Sequence, residues 1–263
     1  MKRSRIVFSF DDARSDTYKA VKIAEKYGIK TTVNVTTSYV ENTINPETRP
    51  SQLPAMTVEQ VIELSSNPFV ELAGHSDNHV NDFDDIVCGR DKLQTMIGSS
   101  EKLGFASPSS KIDLERNPLE KFKENNFLYV RIGPKRGKLS PFYRYIRKAC
   151  RILKNSFLYA MTYTETLQET ISDNYLIHGV PVLHDNTTKQ IIEIVQHAIK
   201  KNYDCVLIFH SILKKGEFMA QDNWSWDESK YIKLCEFIKE KIDVGIVTTA
   251  FTKELVKIDT EKE

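Results

Sequence analysis

The chain has 263 residues, a formal net charge of +1 and 40% hydrophobic residues. This length is enough for one large barrel or two small domains, and the composition fits an ordinary globular core. A net charge near zero predicts no nucleic-acid partner. Its four cysteines lie far apart and form no C-x-x-C pair, which argues against a structural zinc cluster.

The start of the chain shows no export signal. Only a few apolar residues follow the basic residues 1–5 before Asp11 is reached, too few for the apolar region of a signal peptide. No window holds the roughly 18 apolar residues that a transmembrane helix needs. The sequence as given therefore predicts a cytoplasmic protein.

The first predicted strand, an apolar run over residues 6–10, ends in two adjacent carboxylates, Asp11 and Asp12. Neighbouring strand residues point to opposite faces, so one of these carboxylates is directed inwards, where burial is costly without a partner. A cation is the obvious partner. The alternative is a solvated helix cap, a position that aspartate favours.

Two histidines, His75 and His79, follow a third predicted strand over residues 70–73. Before it, the pattern predicts a helix over 15–27, a strand over 31–36, a loop over 41–54 and a helix over 57–66. If the chain turns helical after the strand, both imidazoles share one face and can bind one metal. The alternative is two unrelated surface histidines.

These motifs resemble those of the polysaccharide deacetylases, the NodB homology domain or carbohydrate esterase family four. Residues 9–12, Ser-Phe-Asp-Asp, resemble the first motif, and residues 74–79, Gly-His-Ser-Asp-Asn-His, resemble the second. His210, at the end of a predicted strand over 204–209, resembles the histidine of the late Leu-x-His motif. The resemblance covers most of the chain.

The resemblance implies an α/β fold, a distorted (β/α)7 barrel in a single domain. The alternation of strand and helix patterns, with seven or eight strand candidates, independently predicts an α/β barrel. We place the domain at residues 1–258 and a charged, frayed tail at 259–263.

By the same resemblance, Asp12, His75 and His79 are expected to bind a divalent metal. Zinc is the default, although cobalt, nickel and iron suit the same ligands. Asp11 is expected to be the base that takes a proton from water, and His210 the acid that protonates the leaving amine.

The family's third motif, Arg-x-Pro-Tyr, is degraded in this chain. Residues 106–109 read Ala-Ser-Pro-Ser, so Ala106 stands for the arginine and Ser109 for the aromatic residue. The N–H of Ser109 can still help to bind an oxyanion, because a backbone donor does not depend on the side chain. The family's arginine orients the base. Arg14 and Arg131 are candidate replacements, and both are also predicted to lie among the substrate-binding residues.

Later in the chain, helices are predicted at 86–103, 118–125, 186–201, 227–241 and 251–257. Strands are predicted at 127–132 and 244–248. Residues 131–154 contain nine basic residues and no acid, interleaved with aromatic and apolar residues. Their segment 135–154 predicts either a basic amphipathic helix that contacts an anionic membrane or a phosphate-bearing ligand, or a barrel helix with a basic outer face.

Two tryptophans, Trp224 and Trp226, are predicted to line a sugar-binding groove by stacking, with core packing as the alternative. For His178 and His184 a structural role is favoured over a functional one.

The sequence thus predicts a metal-dependent hydrolase that removes N-acetyl groups from a sugar in capsule or surface-glycan biosynthesis, with a lipid- or nucleotide-linked sugar as substrate. The alternatives are a catalytically impaired glycan-binding relative and a non-haem iron oxygenase with the same ligands. The second usually has an all-β fold, which the α/β alternation argues against.

Overall fold

The structure is a computed structural model that describes residues 3–44, 53–135, 140–169, 175–217 and 223–256. The strands are β1 (Ser4–Phe10), β2 (Thr31–Val35), β3 (Val70–Gly74), β4 (Phe105–Ala106), β5 (Val130–Ile132), β6 (Gln168–Glu169), β7 (Leu176–His178), β8 (Val180–Pro181), β9 (Tyr203–Phe209), β10 (Ser211–Leu213), β11 (Ser225–Asp227) and β12 (Val247–Thr249). The helices are α1 (Ser15–Lys26), α2 (Thr37–Val40), α3 (Val58–Ser65), α4 (Phe83–Ile97), α5 (Leu119–Glu124), α6 (Ser140–Ile152), α7 (Ser156–Met161), α8 (Thr188–Lys201) and α9 (Glu228–Asp243).

A parallel sheet closes on itself to form a barrel. Strands β9, β1, β2, β3, β4, β5 and β7 are neighbours in that order. Strand β7 pairs with β5, but after Gly179 the chain continues as β8, which pairs in parallel with β9. The close approach of the chain to β9 favours glycine at this crossing, because a Cβ at Gly179 would lie 2.7 Å from the Ile208 side chain. With β7 and β8 as one interrupted strand, seven strands enclose the barrel, and the predicted distorted (β/α)7 fold is confirmed.

The two faces of β1 show why this sequence makes a barrel strand. Phe8 and Phe10 pack outwards in a large cluster with the helices. Val7 belongs to a smaller cluster whose members come from strands all around the barrel, including Ile177 and Val206. Both faces are therefore buried, as apolar residues on both faces of the strand predict for a parallel strand.

Several predicted boundaries are confirmed. Helix α3 begins at a capping box made by Thr57 and Gln60, and Thr187 caps α8 in the same way. Gly28, with φ of 69°, follows the end of α1.

Other boundaries differ from the sequence prediction. Helix α4 is capped by Asp82 and ends at left-handed Gly98, so it begins and ends earlier than the predicted 86–103. The last helix is a short 3-10 helix, Thr252–Leu255, and not a helix over 251–257. The tail at 259–263 and most of the predicted loop over 41–54 lie outside the described residues.

Candidate metal centre and active site

The barrel brings every predicted catalytic and metal-binding segment to one end. In a parallel barrel all carboxyl ends of strands meet at the same rim, which is where such folds place their sites. Asp11 and Asp12 follow β1, and His75 follows β3. His210 follows β9, which is hydrogen-bonded to β1.

Asp12, His75 and His79 form a compact three-residue cluster. One ligand atom from each lies within 4.8 Å of the others. Asp12 Oδ1 is 3.4 Å from His75 Nε2 and 3.3 Å from His79 Nε2. Asp12 Oδ1 and His75 Nε2 are buried and have no hydrogen-bond partner among the described residues. One carboxylate and two imidazoles with buried, unsatisfied acceptor atoms suit a divalent metal, so these residues fit the metal that the sequence predicts.

The two histidines meet through a turn and not through a helix. Ser76 and His79 have left-handed φ values of 63° and 59°, and Ser76 Oγ accepts a hydrogen bond from the backbone N–H of Val80 at 3.0 Å. The predicted shared helical face is therefore wrong, although the two rings do approach, with centroids 5.1 Å apart. The spacing of four positions between His75 and His79 did not reveal this tight turn.

His75 is held in one tautomer by a backbone carbonyl. Its Nδ1–H donates to the carbonyl of Ala106 at 2.7 Å, and the ring is fully buried. This bond leaves the Nε2 lone pair directed at Asp12 and His79, as a metal ligand requires. Ala106 thus supports the centre through its main chain, although it lacks the arginine side chain of the family motif.

Gly89 of α4 supports the turn from below, a role that the sequence gave no reason to suspect. A Cβ at Gly89 would lie 2.4 Å from the backbone carbon of Ser76 and 2.5 Å from the nitrogen of Asp77. We expect Gly89→Ala to displace this turn, to destabilise the fold by about 1–3 kcal/mol, and to weaken zinc binding in calorimetry. Thr95→Ala, at an exposed position near the other end of α4, should change neither; equal zinc affinity in Gly89→Ala would contradict the expectation.

Arg14 is bound to the metal-binding carboxylate and not to the base. Its Nε donates to Asp12 Oδ2 at 3.0 Å and its Nη1 to Ser211 Oγ at 2.9 Å. Burial alone would raise the pKa of Asp12, but the contacts with His75 and His79 and the charge of Arg14 hold it well below its ordinary range. Asp12 is therefore ionised at neutral pH, ready to bind a cation.

Arg131 is the residue that contacts Asp11. It is fully buried, and its Nη2 makes a short ion pair with Asp11 Oδ1. Asn34 also donates to this oxygen, at 2.9 Å; the only sequence signal for Asn34 was an amide in an otherwise apolar or hydroxyl-bearing strand. Burial raises the pKa of Asp11, but Arg131 leads the charges that outweigh it, so the pKa lies below its ordinary value.

Both arginines are thus occupied by carboxylates beneath the site. Each is at most 3% exposed, which leaves no guanidinium surface open to a large substrate. Their prediction as substrate-binding residues is wrong for this reason. Of the two candidate replacements for the family's arginine, the structure pairs Arg131 with Asp11.

His210 lies opposite Asp11 under a tryptophan. Its Nε2 is 3.9 Å from Asp11 Oδ2, and its ring lies 4.6 Å from that of Trp224. Burial lowers the pKa of His210 to about 4, against the opposing pull of Asp12 and Asp11. In the resting protein His210 is therefore neutral at pH 7.

The lowered pKa of His210 predicts a pH-dependent stability in metal-stripped protein. Between the unfolded pKa of about 6.5 and the folded pKa of about 4, the unfolded state binds more protons, so this contribution is complete above pH 6.5 and is lost as pH falls. From pH 7 to pH 5 the wild type should lose about 2 kcal/mol more than His210→Gln in urea unfolding. The comparison cancels other groups that titrate there, such as Asp16 and His178. Parallel pH curves for both proteins would contradict the assignment.

The other predicted site residues, the two tryptophans and Ser109, differ in how deeply they are buried. Trp226 is fully buried and donates from Nε1 to the carbonyl of Asn186 at 3.0 Å, so its predicted stacking on sugar is wrong and core packing holds. Trp224 is partly exposed beside His210. Ser109 is exposed just beyond β4, with a left-handed φ of 57° that turns the chain there.

His178 and His184 do not join the three-residue cluster. The half-buried ring of His178 contacts the carbonyl of Gly133 through Nδ1 at 3.1 Å. His184 is exposed, and its backbone N–H donates to the carbonyl of Asn223 at 3.0 Å. The contact of the His178 ring fits the structural role that the sequence favoured, whereas the main-chain contact of His184 does not test the role of its imidazole.

No family model and no curated protein matches this sequence. Among solved structures, it is similar to the Bc1960 peptidoglycan N-acetylglucosamine deacetylase, with a TM-score of 0.53, 11% identity, and coverage of 99% of this chain and 91% of that chain. A pseudoenzyme of the CE4 family from Bacillus anthracis has a TM-score of 0.48 at 12% identity, with coverage of 97% of this chain and 66% of that chain. The catalytic domain of a peptidoglycan N-acetylglucosamine deacetylase from Eubacterium rectale gives 0.45 at 12% identity, covering 99% and 91%.

The chain therefore has the fold of carbohydrate esterase family four, the polysaccharide deacetylases that its motifs resemble. This likeness concerns the barrel. The chemistry depends on the residues that line its rim.

Proposed function

We propose that this protein is a metal-dependent hydrolase that removes N-acetyl groups from a sugar. The observation that carries the proposal is the arrangement at the barrel rim: a buried Asp-His-His cluster with unsatisfied ligand atoms lies next to an ionised carboxylate, Asp11, that faces His210. A protein that only holds a glycan has no need of Asp11 and His210 in this arrangement.

Asp12, His75 and His79 would hold the metal. When bound, a divalent ion such as zinc, cobalt, nickel or iron would supply Lewis acidity towards an amide carbonyl and a water molecule. The supporting groups already exist: Arg14 fixes Asp12, and the Ala106 carbonyl fixes His75.

Asp11 is the base in this proposal. Asn34 and Arg131 both hold Oδ1, which leaves Oδ2 on the side of His210. Oδ2 takes the proton of the attacking water while the water oxygen bonds to the acyl carbon. The carboxylate is ionised before the reaction because its pKa is lowered.

His210 delivers a proton to the leaving nitrogen. Since its pKa is about 4, it is neutral at pH 7 and must gain this proton during turnover. Protonated Asp11, whose Oδ2 lies 3.9 Å from His210 Nε2, is the proposed source of that proton. The C–N bond then breaks as the amine nitrogen accepts that proton, and acetate and a free amino sugar leave.

Ser109 completes the proposed site with its backbone N–H. Its position after β4 places it next in the rim after the His75 turn, and the left-handed φ is a main-chain feature that does not need the family's tyrosine side chain. A fixed N–H donor stabilises negative charge that develops on the acyl oxygen.

Trp224 is the residue proposed to stack on the sugar. A comparison of its alanine variant with that of Trp226 tests this role. Trp224→Ala should raise KM for an N-acetylated sugar oligomer about tenfold, the loss of roughly 1.4 kcal/mol of ring stacking, with little change in unfolding. Trp226→Ala should instead cost about 3–5 kcal/mol of stability, because that indole is fully buried. An unchanged KM for Trp224→Ala, measured by steady-state kinetics, would remove it from the substrate site.

The direct test is acetate release by metal-stripped protein with zinc or cobalt added back. Substrates are N-acetylated sugars, free, nucleotide-linked and lipid-linked, because we propose a carried sugar of surface-glycan biosynthesis handled in the cytoplasm. Release should require metal and should fall at least about a hundredfold in Asp11→Asn and in His75→Ala, as for loss of a catalytic group. His197→Ala, a histidine on α8 bonded to Thr164, is the matched control.

The alternative is a catalytically impaired glycan-binding relative, favoured by the loss of the third-motif arginine at Ala106. Glycan binding without acetate release, with metal bound, would establish it. The Arg131 contact with Asp11 speaks against it, because the base retains a guanidinium partner.

A further inference from the structure

The basic segment forms an exposed surface that the proposed chemistry does not use. We call residues 142–161, which comprise most of α6, the following turn and α7, the α6–α7 surface. Of the thirteen exposed large hydrophobic residues in the described part of the chain, seven lie on it. They are Phe142, Tyr145, Ile152, Leu153, Phe157, Leu158 and Met161. Such a concentration in twenty residues marks an interaction site.

One face of α6 packs against the rest of the protein, so the opposite face is exposed to solvent. Cys150 is buried, and Arg147 stacks 3.9 Å from the Tyr163 ring while it donates to Thr162. Tyr145 and Ile152, on the opposite side of the helix, are 75% and 70% exposed. Arg147 is thus a structural residue, and the free face combines apolar and basic groups.

The charges on the α6–α7 surface have one sign. Residues 131–164 contain no aspartate or glutamate. Arg144, Lys148 and Lys154 are exposed, and among the described residues none forms an ion pair with a carboxylate. Arg151 differs, because it pairs with Asp185 at 2.8 Å.

From this combination we infer that the α6–α7 surface docks onto an anionic phospholipid membrane. Exposed aromatic and aliphatic side chains enter the headgroup region, while lysine and arginine beside them meet lipid phosphates. Leu153, 77% exposed at the turn between two helices, is placed to enter first. A second copy of the chain is a poor occupant, because two such surfaces would bring like charges together. No helix in the described ranges has the length and apolarity to cross a bilayer.

Contacts link this surface to the rim of the barrel. Arg151 binds Asp185, the neighbouring His184 is hydrogen-bonded to Asn223, and Trp224 then covers His210.

The test is cosedimentation with vesicles of phosphatidylcholine alone or mixed with phosphatidylglycerol. It needs neither metal nor sugar, so its result is independent of the deacetylase proposal. Wild type should bind the anionic vesicles at least about tenfold more strongly than the neutral ones, and binding should weaken with salt. Arg144→Glu/Lys148→Glu and Leu153→Ser/Phe157→Ser should each reduce binding about tenfold or more.

The matched controls carry the same changes elsewhere on the surface. Lys102→Glu/Lys111→Glu and Ile62→Ser/Val244→Ser alter exposed residues away from α6 and should bind like wild type. Circular dichroism should show that all variants are folded. No vesicle binding by wild type, or equal binding by the Arg144/Lys148 variant, overturns the proposal. Dimerisation without vesicles that Leu153→Ser/Phe157→Ser abolishes also overturns it, in favour of a second copy.

Discussion

Replacing Arg131 with methionine should destabilise the protein by about 3–5 kcal/mol, because it leaves the buried carboxylate of Asp11 without its counter-charge. Urea unfolding measures this loss. Asp11→Asn/Arg131→Met should be more stable than Arg131→Met alone, since neither charge then remains unpaired. Arg116→Met, at an exposed arginine, is the control and should be neutral. A double variant that is less stable than Arg131→Met would show that the ion pair is not the cause.

The same substitution should alter the pH dependence of acetate release. Without Arg131, burial raises the pKa of Asp11 unopposed by its main cation, so the base is protonated at higher pH and the acidic limb of kcat/KM moves upwards.

Ala106 and Arg131 are directly paired on β4 and β5, so their side chains share one face. Ala106→Arg/Arg131→Ala, which returns the arginine to its place in the family motif, should restore part of the activity. No recovery in this swap would show that Arg131 acts through more than Asp11.

Zinc added to metal-stripped protein should raise the free energy of unfolding by about 2.7 kcal/mol at one hundred times its Kd, because only the folded state assembles the three ligands. His79→Ala and Asp12→Asn should lose this gain, and their acetate release should fall with it. The readout is thermal or urea unfolding, which does not depend on the substrate chosen. His197→Ala, outside the cluster, should keep the full zinc effect. Stabilisation that persists in His79→Ala would place the metal elsewhere.

The outcome at Asp11 and Asp12 shows how far pattern reasoning reaches. Strict strand alternation predicts that one carboxylate points inwards and the other outwards. Both are buried, because Asp12 has a left-handed φ of 72° that breaks the alternation. Local sequence does not reveal such a turn, which is stabilised by the ion pair with Arg14 and by the rim around it.

The two tryptophans show a second limit. Trp224 and Trp226 are two residues apart and chemically identical, so the sequence treats them alike. Their burial differs because Trp226 lies in β11 against Phe209, while Trp224 lies outside that strand beside His210. Only the tertiary packing, in which the Trp226 ring lies against Phe209 of β9, separates a core residue from a surface one.

The sequence by itself determined the alternating barrel and the segments that reach its rim, because apolar periodicity and caps are local signals that agree with the fold. It also determined Asp11, Asp12, His75, His79 and His210 as the candidate groups. The tertiary structure decided which arginine meets which carboxylate: Arg131 on β5 reaches Asp11 after β1, while nearby Arg14 binds Asp12. Arg131 and Asp11 are 120 residues apart in the chain, and closure of the barrel alone brings them together.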